Sequence, residues 1–509
     1  MYNKLQLILL LTLTISPLGI NAKSKEKPNI IFLMTDDQRC DNMGCYGRSE
    51  FTTPNIDKLA EEGVIFDNAF YTVAICMPSR VTMLTGRHVS NHRVDFTAPN
   101  NYTLSQASLA KSYPALLKDA GYRTGFIGKL GFTATQDGIR PSTPKEHYIR
   151  KQFSQTFDYF AGNETHDRDS VITWPLEDEA LTAIYRKGRE NSGRTRRTGE
   201  AMLHFIETQP EDQPFCLSVS FYAVKHDSNQ DMYMPDFEQF RDYVFSVPDN
   251  YVEGSNEELP QVVKDNARGV PLHLQRTSTP ELYQKQVRRF ATQGYSVDEQ
   301  VGFLVEKLKE KGILDNTVII YTSDNGRFQG SHGLFDKCLL YDESVKEPLI
   351  VYDGRVPASE RGRREDALIS SVDMAPTIVS LAGLKAPKSM QGMDFSGVLN
   401  QTQDMEKWRD AVFMEDLFLV AMFKERNKPN VDEINQKLID ANKSYRSHGL
   451  RTKRWKYFVY YEHTPRIEEL YDMVNDPSEQ NNLVNNPENA EILETLRAQT
   501  EAFYQNIKQ

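Results

Sequence analysis

Apolar residues in this chain come in short unbroken runs separated by stretches of helical spacing. Asn29-Ile30-Ile31-Phe32-Leu33-Met34 follows Pro28 and ends in Thr35-Asp36-Asp37. A run without polar alternation predicts a strand covered on both faces, as in a parallel sheet between helices. The next segment, Thr53-Pro54-Asn55-Ile56-Asp57-Lys58-Leu59-Ala60-Glu61-Glu62-Gly63, predicts a short helix. Thr stands at its N-cap, Pro in its first turn and Gly beyond its end, with Ile56, Leu59 and Ala60 on one face. A second unit places a helix over 114–120, a stop at Gly121 and a strand over 124–127. A helix around 199–207 then leads to a strand over 215–221. Ser296-Val297-Asp298-Glu299 has the form of a capping box, and the helix after it carries Val301, Leu304 and Leu308 before Gly312. A strand over 317–321 follows. Repeated helix–strand units predict an α/β fold, a large mainly parallel sheet flanked by helices.

Two polar stretches, 132–198 and 225–294, break this rhythm and are expected as insertions on the functional rim or as plain surface. After about residue 400 the pattern changes. Lys453-Arg454-Trp455-Lys456-Tyr457-Phe458-Val459-Tyr460-Tyr461 predicts an antiparallel edge strand, and 488–508 a terminal helix. The expected division is a signal peptide over 1–22, a main α/β domain over 23–400 and a smaller α+β subdomain over 401–509. The signal reading rests on Lys4, an apolar run over 5–20, Ala22 and the charged residues after it. No cysteine follows it to carry a lipid, and no later run is long and apolar enough to span a bilayer. The expectation is an exported protein without a membrane anchor, in a bacterial periplasm.

Composition narrows the choice further. A net charge of −11 argues against a nucleic-acid partner, which needs a basic face. It leaves room for a small anionic substrate, because the field inside a cleft can oppose the net charge. Five cysteines among 509 residues do not make a disulfide framework. Cys216 and Cys338 sit in apolar surroundings and read as inert. Cys40 and Cys45 could be bridged or free. Cys76 is the odd thiol, a position suited to chemistry.

Candidate chemistry gathers at strand ends, where ligands bind in open α/β sheets. Asp36 and Asp37 end one apolar run, and Asp324-Asn325-Gly326 ends another. Each pair alone is compatible with a simple turn. Together, three carboxylates and an amide oxygen form a hard oxygen set for Ca²⁺ or Mg²⁺. Cys76-Met77-Pro78-Ser79-Arg80 precedes Thr85-Gly86-Arg87. A helix beginning at Pro78-Ser79 would set Arg80 one turn from Cys76, beside an N-terminus that attracts anions. Lys129, His226 and Lys337 add cations and a group able to transfer protons.

These stretches resemble the formylglycine-dependent type I sulfatases of the alkaline-phosphatase superfamily, in particular bacterial glycan sulfatases. The likeness runs from Pro28 to about Leu483. It includes Thr35-Asp36-Asp37, the Cys76 motif, Gly121 to Lys129, Thr322-Ser323-Asp324-Asn325-Gly326, Gly333 to Lys337, Asp373-Met374-Ala375-Pro376-Thr377 and Glu469-Leu470-Tyr471-Asp472. The resemblance implies Ca²⁺ held by Asp36, Asp37, Asp324 and Asn325. It implies a formylglycine made from Cys76 by a maturation enzyme, and Arg80, Lys129, His226 and Lys337 around the sulfate. The implied mechanism is covalent. One hydroxyl of the hydrated aldehyde attacks sulfur, His226 or Lys337 serves the leaving oxygen, and the second hydroxyl expels sulfate. The implied substrate is a sulfated carbohydrate, with His332 as a substrate-facing position.

The chain also departs from the family pattern. A His usually stands two residues after the Lys at 129, where this chain has Gly131; His88, His92 or a His from one of the polar insertions are possible substitutes. Lys225 precedes His226 where a Pro is common. Arg451, Lys453 and Arg454 could meet an acidic sugar or line a solvated strand face. Two other readings are a phosphonate or phosphodiester hydrolase of the same superfamily and a degenerate binder of sulfated glycans.

Overall fold

The computed structural model describes residues 27–94, 103–136, 152–163, 172–175, 177–186, 193–225, 234–265, 269–417 and 431–507. The signal segment and His226 lie outside these residues. A nine-stranded sheet forms the body, in the order Arg363–Glu365, Val64–Phe66, Leu349–Asp353, Thr317–Ser323, Asn29–Thr35, Phe215–Ser220, Arg123–Lys129, Tyr159–Asn163, Ile172–Trp174. The five strands from Thr317–Ser323 to Tyr159–Asn163 are mutually parallel. Leu349–Asp353 and Ile172–Trp174 run against their neighbours.

The absence of alternation in strand 29–35 has the expected cause. Ile30, Phe32 and Met34 enter one core, with Val81 and Met83 of helix Cys76–Thr85 and Ile378 of helix Met374–Leu381. Ile31 and Leu33 enter the opposite core, with Leu59 of helix Pro54–Glu61, Phe205 of helix Gly193–Glu207 and Val301 of helix Pro280–Glu310. Both faces are dry, so each position gains from an apolar side chain.

Register is what positions the site. Thr35 pairs with Ser323, Met34 with Ser220, and Gly128 with Ser220. The carboxyl ends of four adjacent strands therefore finish level, and the residues that follow them converge.

The structure corrects several sequence expectations. Helix Pro280–Glu310 begins at Thr279, whose side chain accepts from the Leu282 amide at 3.3 Å. Ser296 is therefore mid-helix, and its hydroxyl donates to Asp236 instead of capping. The 132–198 stretch is more than a rim insertion, since Tyr159–Asn163 and Ile172–Trp174 complete the main sheet. Trp455–Tyr460 is an interior strand, paired on both sides in a four-stranded antiparallel sheet of Ala411–Asp416, Ser447–Thr452, Trp455–Tyr460 and Ile467–Asp472. One face of that sheet packs Tyr457, Val459 and Leu470 on Leu493 and Leu496 of helix Ala490–Ile507. Its other face sends Met414, Phe458 and Tyr471 into the main core. All five cysteines are free thiols, Cys40 and Cys45 included.

Candidate active site

Helix Cys76–Thr85 begins at Cys76 itself, two residues earlier than its proline suggests. Ile75 is extended (φ −147°, ψ 137°), and Pro78 falls in the first turn, where no intrahelical N–H is required. All ten residues are buried, and Gly86 ends the helix at φ 65°. Cys76 thus occupies the positive end of a buried helix, with Arg80 one turn further on.

Asp36 follows strand 29–35, and its backbone is clamped by segment 221–224. Its amide donates to the Ala223 carbonyl at 2.7 Å, and its carbonyl accepts from Val224 at 2.8 Å. Asp37 takes φ 64°, which an aspartate tolerates better than most residues. Its amide donates to Asp324 Oδ1 at 3.0 Å, and its Oδ1 accepts from Asn325 Nδ2 at 2.7 Å. Asp36, Asp37, Asp324 and Asn325 are fully buried.

Cations hold these carboxylates in place. Lys129 pairs with Asp36. Lys337 pairs with Asp37 and donates to Asn325 Oδ1 at 3.1 Å. Arg80 reaches Asp324 Oδ2 through Nε at 2.8 Å and also donates to Ser220. Arg327 bridges Asp37 and Asp336.

The same charges set the titration of the group. Burial pushes Asp36 and Asp37 up, but Lys129 beside Asp36, and Lys337 with Arg327 beside Asp37, hold both below the usual carboxylate range. Burial and neighbouring Asp36 leave Asp324 pushed up to about 6 despite Arg80. Burial opposes a thiolate at Cys76, yet Lys129, Lys337 and Lys225 bring the thiol down to about 7. Burial works against charge on Lys337 too, and Asp37 with Cys76 keeps it protonated far above its usual range.

The donor set fits a hard divalent cation. Asp36, Asp37 and Asp324 each offer an oxygen, and those atoms lie within 4.8 Å of one another. Among the described residues, the buried Asp36 Oδ1 has no hydrogen-bond donor. Such an oxygen is costly unless something positive meets it.

The fold thus brings together Asp36, Asp37, Cys76, Arg80, Lys129, Asp324, Asn325 and Lys337. Among the described residues, His332 bonds to none of them. Its Nε2 lies 3.0 Å from Asn250 Nδ2 and 3.3 Å from Glu343 Oε2. Beside it is a cavity of about 180 Å³, lined in part by Tyr251, Tyr341 and Tyr471. His88 and His92 do not replace the missing histidine. His92 spends one ring nitrogen on Thr82 Oγ1 (3.1 Å) and the other on the Val94 amide (3.0 Å). His88 lies beyond the far end of the Cys76 helix, ~15 Å away at 1.5 Å per residue, in T-shaped contact with the stacked rings of Phe413 and Phe503. Arg451, Lys453 and Arg454 are engaged with Asp342, Asp366 and Asp472.

Sequence reasoning passed over Arg327, Ser220 and Lys225. Arg327 was within reach, because it directly follows Asp324-Asn325-Gly326. Ser220 closes its strand without any local signal. In the sequence Lys225 stands out only as a departure from a proline.

Comparisons with known proteins give the family. The chain matches the Sulfatase family over residues 28–384 and the family described as N-sulphoglucosamine sulphohydrolase, C-terminal, over 330–506. It is 26% identical to N-acetylglucosamine-6-O-sulfatase of Bacteroides thetaiotaomicron, covering 94% of this chain and 88% of that protein. It is also 26% identical to mouse iduronate 2-sulfatase, covering 92% and 93%. A solved complex of a protein with its substrate D-glucosamine-2-N,6-O-disulfate superposes with a TM-score of 0.74 at 25% identity, covering 95% and 98%. The phosphonate monoester hydrolase of Agrobacterium radiobacter shares the fold, with a TM-score of 0.70 at 20% identity, covering 94% and 96%. With a family match across most of its length, the chain belongs to the sulfatase family of sulfuric ester hydrolases.

Proposed function

We propose that this protein removes sulfate esters from carbohydrate, using a formylglycine that a maturation enzyme makes from Cys76 and a Ca²⁺ ion on Asp36, Asp37, Asp324 and Asn325. The observation that carries this reading is the placement of Cys76. It starts a buried helix within the field of Lys129, Lys225 and Lys337, beside three carboxylates whose oxygens can share one cation. Relatives named for sulfated sugars, including the ulvan-active sulfatases of Formosa agariphila, support a carbohydrate substrate.

When bound, the cation would withdraw charge from a sulfate oxygen, and formylglycine would supply a nucleophilic hydroxyl where the thiol now stands. The chain's own residues do the rest. Arg80 is locked by Asp324 and Ser220, so its guanidinium meets the sulfate without reorganising, which is how fixed charge lowers a barrier. Lys129 neutralises Asp36 and faces Cys76. Lys337, gripped by Asp37, serves as a fixed positive charge toward the leaving oxygen. His226, two residues beyond the clamped 221–224 segment, is assigned the proton for that oxygen.

The N-terminal 22 residues are proposed to direct export to a periplasm, and no helix among the described residues is long and apolar enough to cross a membrane. The test is a desulfation screen on defined sulfated mono- and disaccharides, with Cys76→Ala as control. Intact-mass analysis should show the thiol-to-aldehyde change at Cys76. Sulfate release that survives Cys76→Ala refutes the mechanism, and no release by matured protein across the panel refutes the function.

A further inference from the structure

Lys225 differs from every other cation of the cluster. Lys129, Lys337, Arg80 and Arg327 each pair with a carboxylate of the site. Among the described residues, the Lys225 ammonium makes no hydrogen bond or ion pair.

Its position is nevertheless held firmly. The chain leaving strand 215–220 is stitched across the end of strand 29–35 by three backbone bonds. Phe221 donates to Met34 O at 2.8 Å, Asp36 to Ala223 O at 2.7 Å and Val224 to Asp36 O at 2.8 Å. Ala223 and Val224 are buried. Lys225 is the next residue, half-buried, and its charge is felt by Asp36, Asp37 and Cys76 together.

A counter-ion for Asp36 or Asp37 is already present without it. Five cations, Arg80, Lys129, Lys225, Arg327 and Lys337, face four carboxylates, Asp36, Asp37, Asp324 and Asp336. A divalent ion would enlarge that positive excess. Burial works against charge on Lys225, yet Asp36 and Asp37 keep it protonated above its usual range without bonding it directly, so its donors stay available to an anion.

The neighbouring side of the site is correspondingly bare. At Gly131 (φ 83°) a Cβ would lie 3.1 Å from Arg80 Cδ and 3.8 Å from Lys129 Cε. A side chain there would stand against Arg80 and Lys129, and this chain has none.

We propose that Lys225 is a further catalytic residue of this sulfatase, its ammonium contacting the non-bridging oxygens of the substrate's sulfate group and holding them during transfer. It neither gives nor takes a proton, so it adds only charge. The proposal rests on the sulfatase reading above.

The test compares wild type, Lys225→Met and Lys225→Arg as metal-loaded, matured protein. Lys225→Met should lower kcat/KM on a sulfate ester by about 10²-fold or more, as loss of a transition-state charge does. Lys225→Arg should recover most of it. Calorimetric binding of inorganic sulfate should weaken by about 10-fold or more in Lys225→Met. That comparison is made in a Cys76→Ala background, where turnover plays no part. Unchanged kcat/KM, or unchanged sulfate binding, overturns the proposal while leaving the sulfatase intact. Loss of bound Ca²⁺ or of folded stability in Lys225→Met would make the residue structural, which also overturns it. A wild type that neither hydrolyses sulfate esters nor binds sulfate overturns both readings.

Discussion

Lys129→Met tests whether the site's charges are balanced as the structure indicates. Lys129 and Asp36 are both 0% exposed, and the ammonium pairs with Asp36 Oδ2. Methionine nearly fills the same space without the charge. Asp36 Oδ2 then loses its ion pair and joins Oδ1, which has no donor among the described residues. Removing one partner of a buried pair costs about 3–5 kcal/mol. If the chain unfolds as one unit, its unfolding entropy is ~1 kcal/mol/K, so Tm falls by only ~3–5 °C. Denaturant unfolding in a chelator is the better assay, because it reads the free energy directly. Asp36→Asn added to Lys129→Met should restore most of the loss, since no charge is then stranded. Ca²⁺ should narrow the gap between Lys129→Met and wild type by binding the folded state, where Asp36 needs a cation most. If Lys129→Met in chelator stays within about 0.5 kcal/mol of wild type, the range of an ordinary surface change, the charge balance described here is wrong.

Two further predictions concern folding. Burial, assisted by Arg409, pushes His88 down to about 3 from its ordinary 6.5. Between those values the unfolded chain binds a proton that the folded chain refuses. The His88 contribution is therefore complete above about pH 6.5 and is lost as pH falls, at up to about 1.4 kcal/mol per unit. His88→Phe should flatten this acid limb in denaturant titrations at pH 7, 6 and 5, and identical losses in both proteins would refute the assignment. Gly128 has φ 95°, and a Cβ there would stand 1.9 Å from the Ser220 carbonyl oxygen on the adjacent strand. Gly128→Ala should abolish soluble folded protein, judged by size-exclusion and circular dichroism, and a native-like Gly128→Ala would show that the two strand ends are looser than drawn.

The elements were largely legible in the sequence because their causes are local. A strand buried on both faces needs continuous apolar residues, and strand 29–35 has them. The helix after Thr53 carries its own start and stop signals. Errors arose where a local signal was ambiguous. Ser296-Val297-Asp298-Glu299 has the residues of a cap, but a helix already running passes through it, and Ser296 turns its hydroxyl to Asp236. The strands within 132–198 leave no clear sequence pattern because they are short and join the sheet at its far side.

The sequence by itself determined which residue types stand at strand ends, the Cys76 motif and the order of the candidate ligands. Tertiary structure decided what those residues do to each other. Asp37 and Asp324 are 287 positions apart, yet bonded, because parallel register brings Thr35 level with Ser323. Which cation pairs with which carboxylate follows from that convergence, and so does the lack of a bonded partner for Lys225 among the described residues. The elimination of His92 by its two local bonds, and of His88 by distance and packing, also needed the fold. Propensity and periodicity act over one or two turns of chain, whereas charge pairing acts across space, between segments whose meeting no local pattern records.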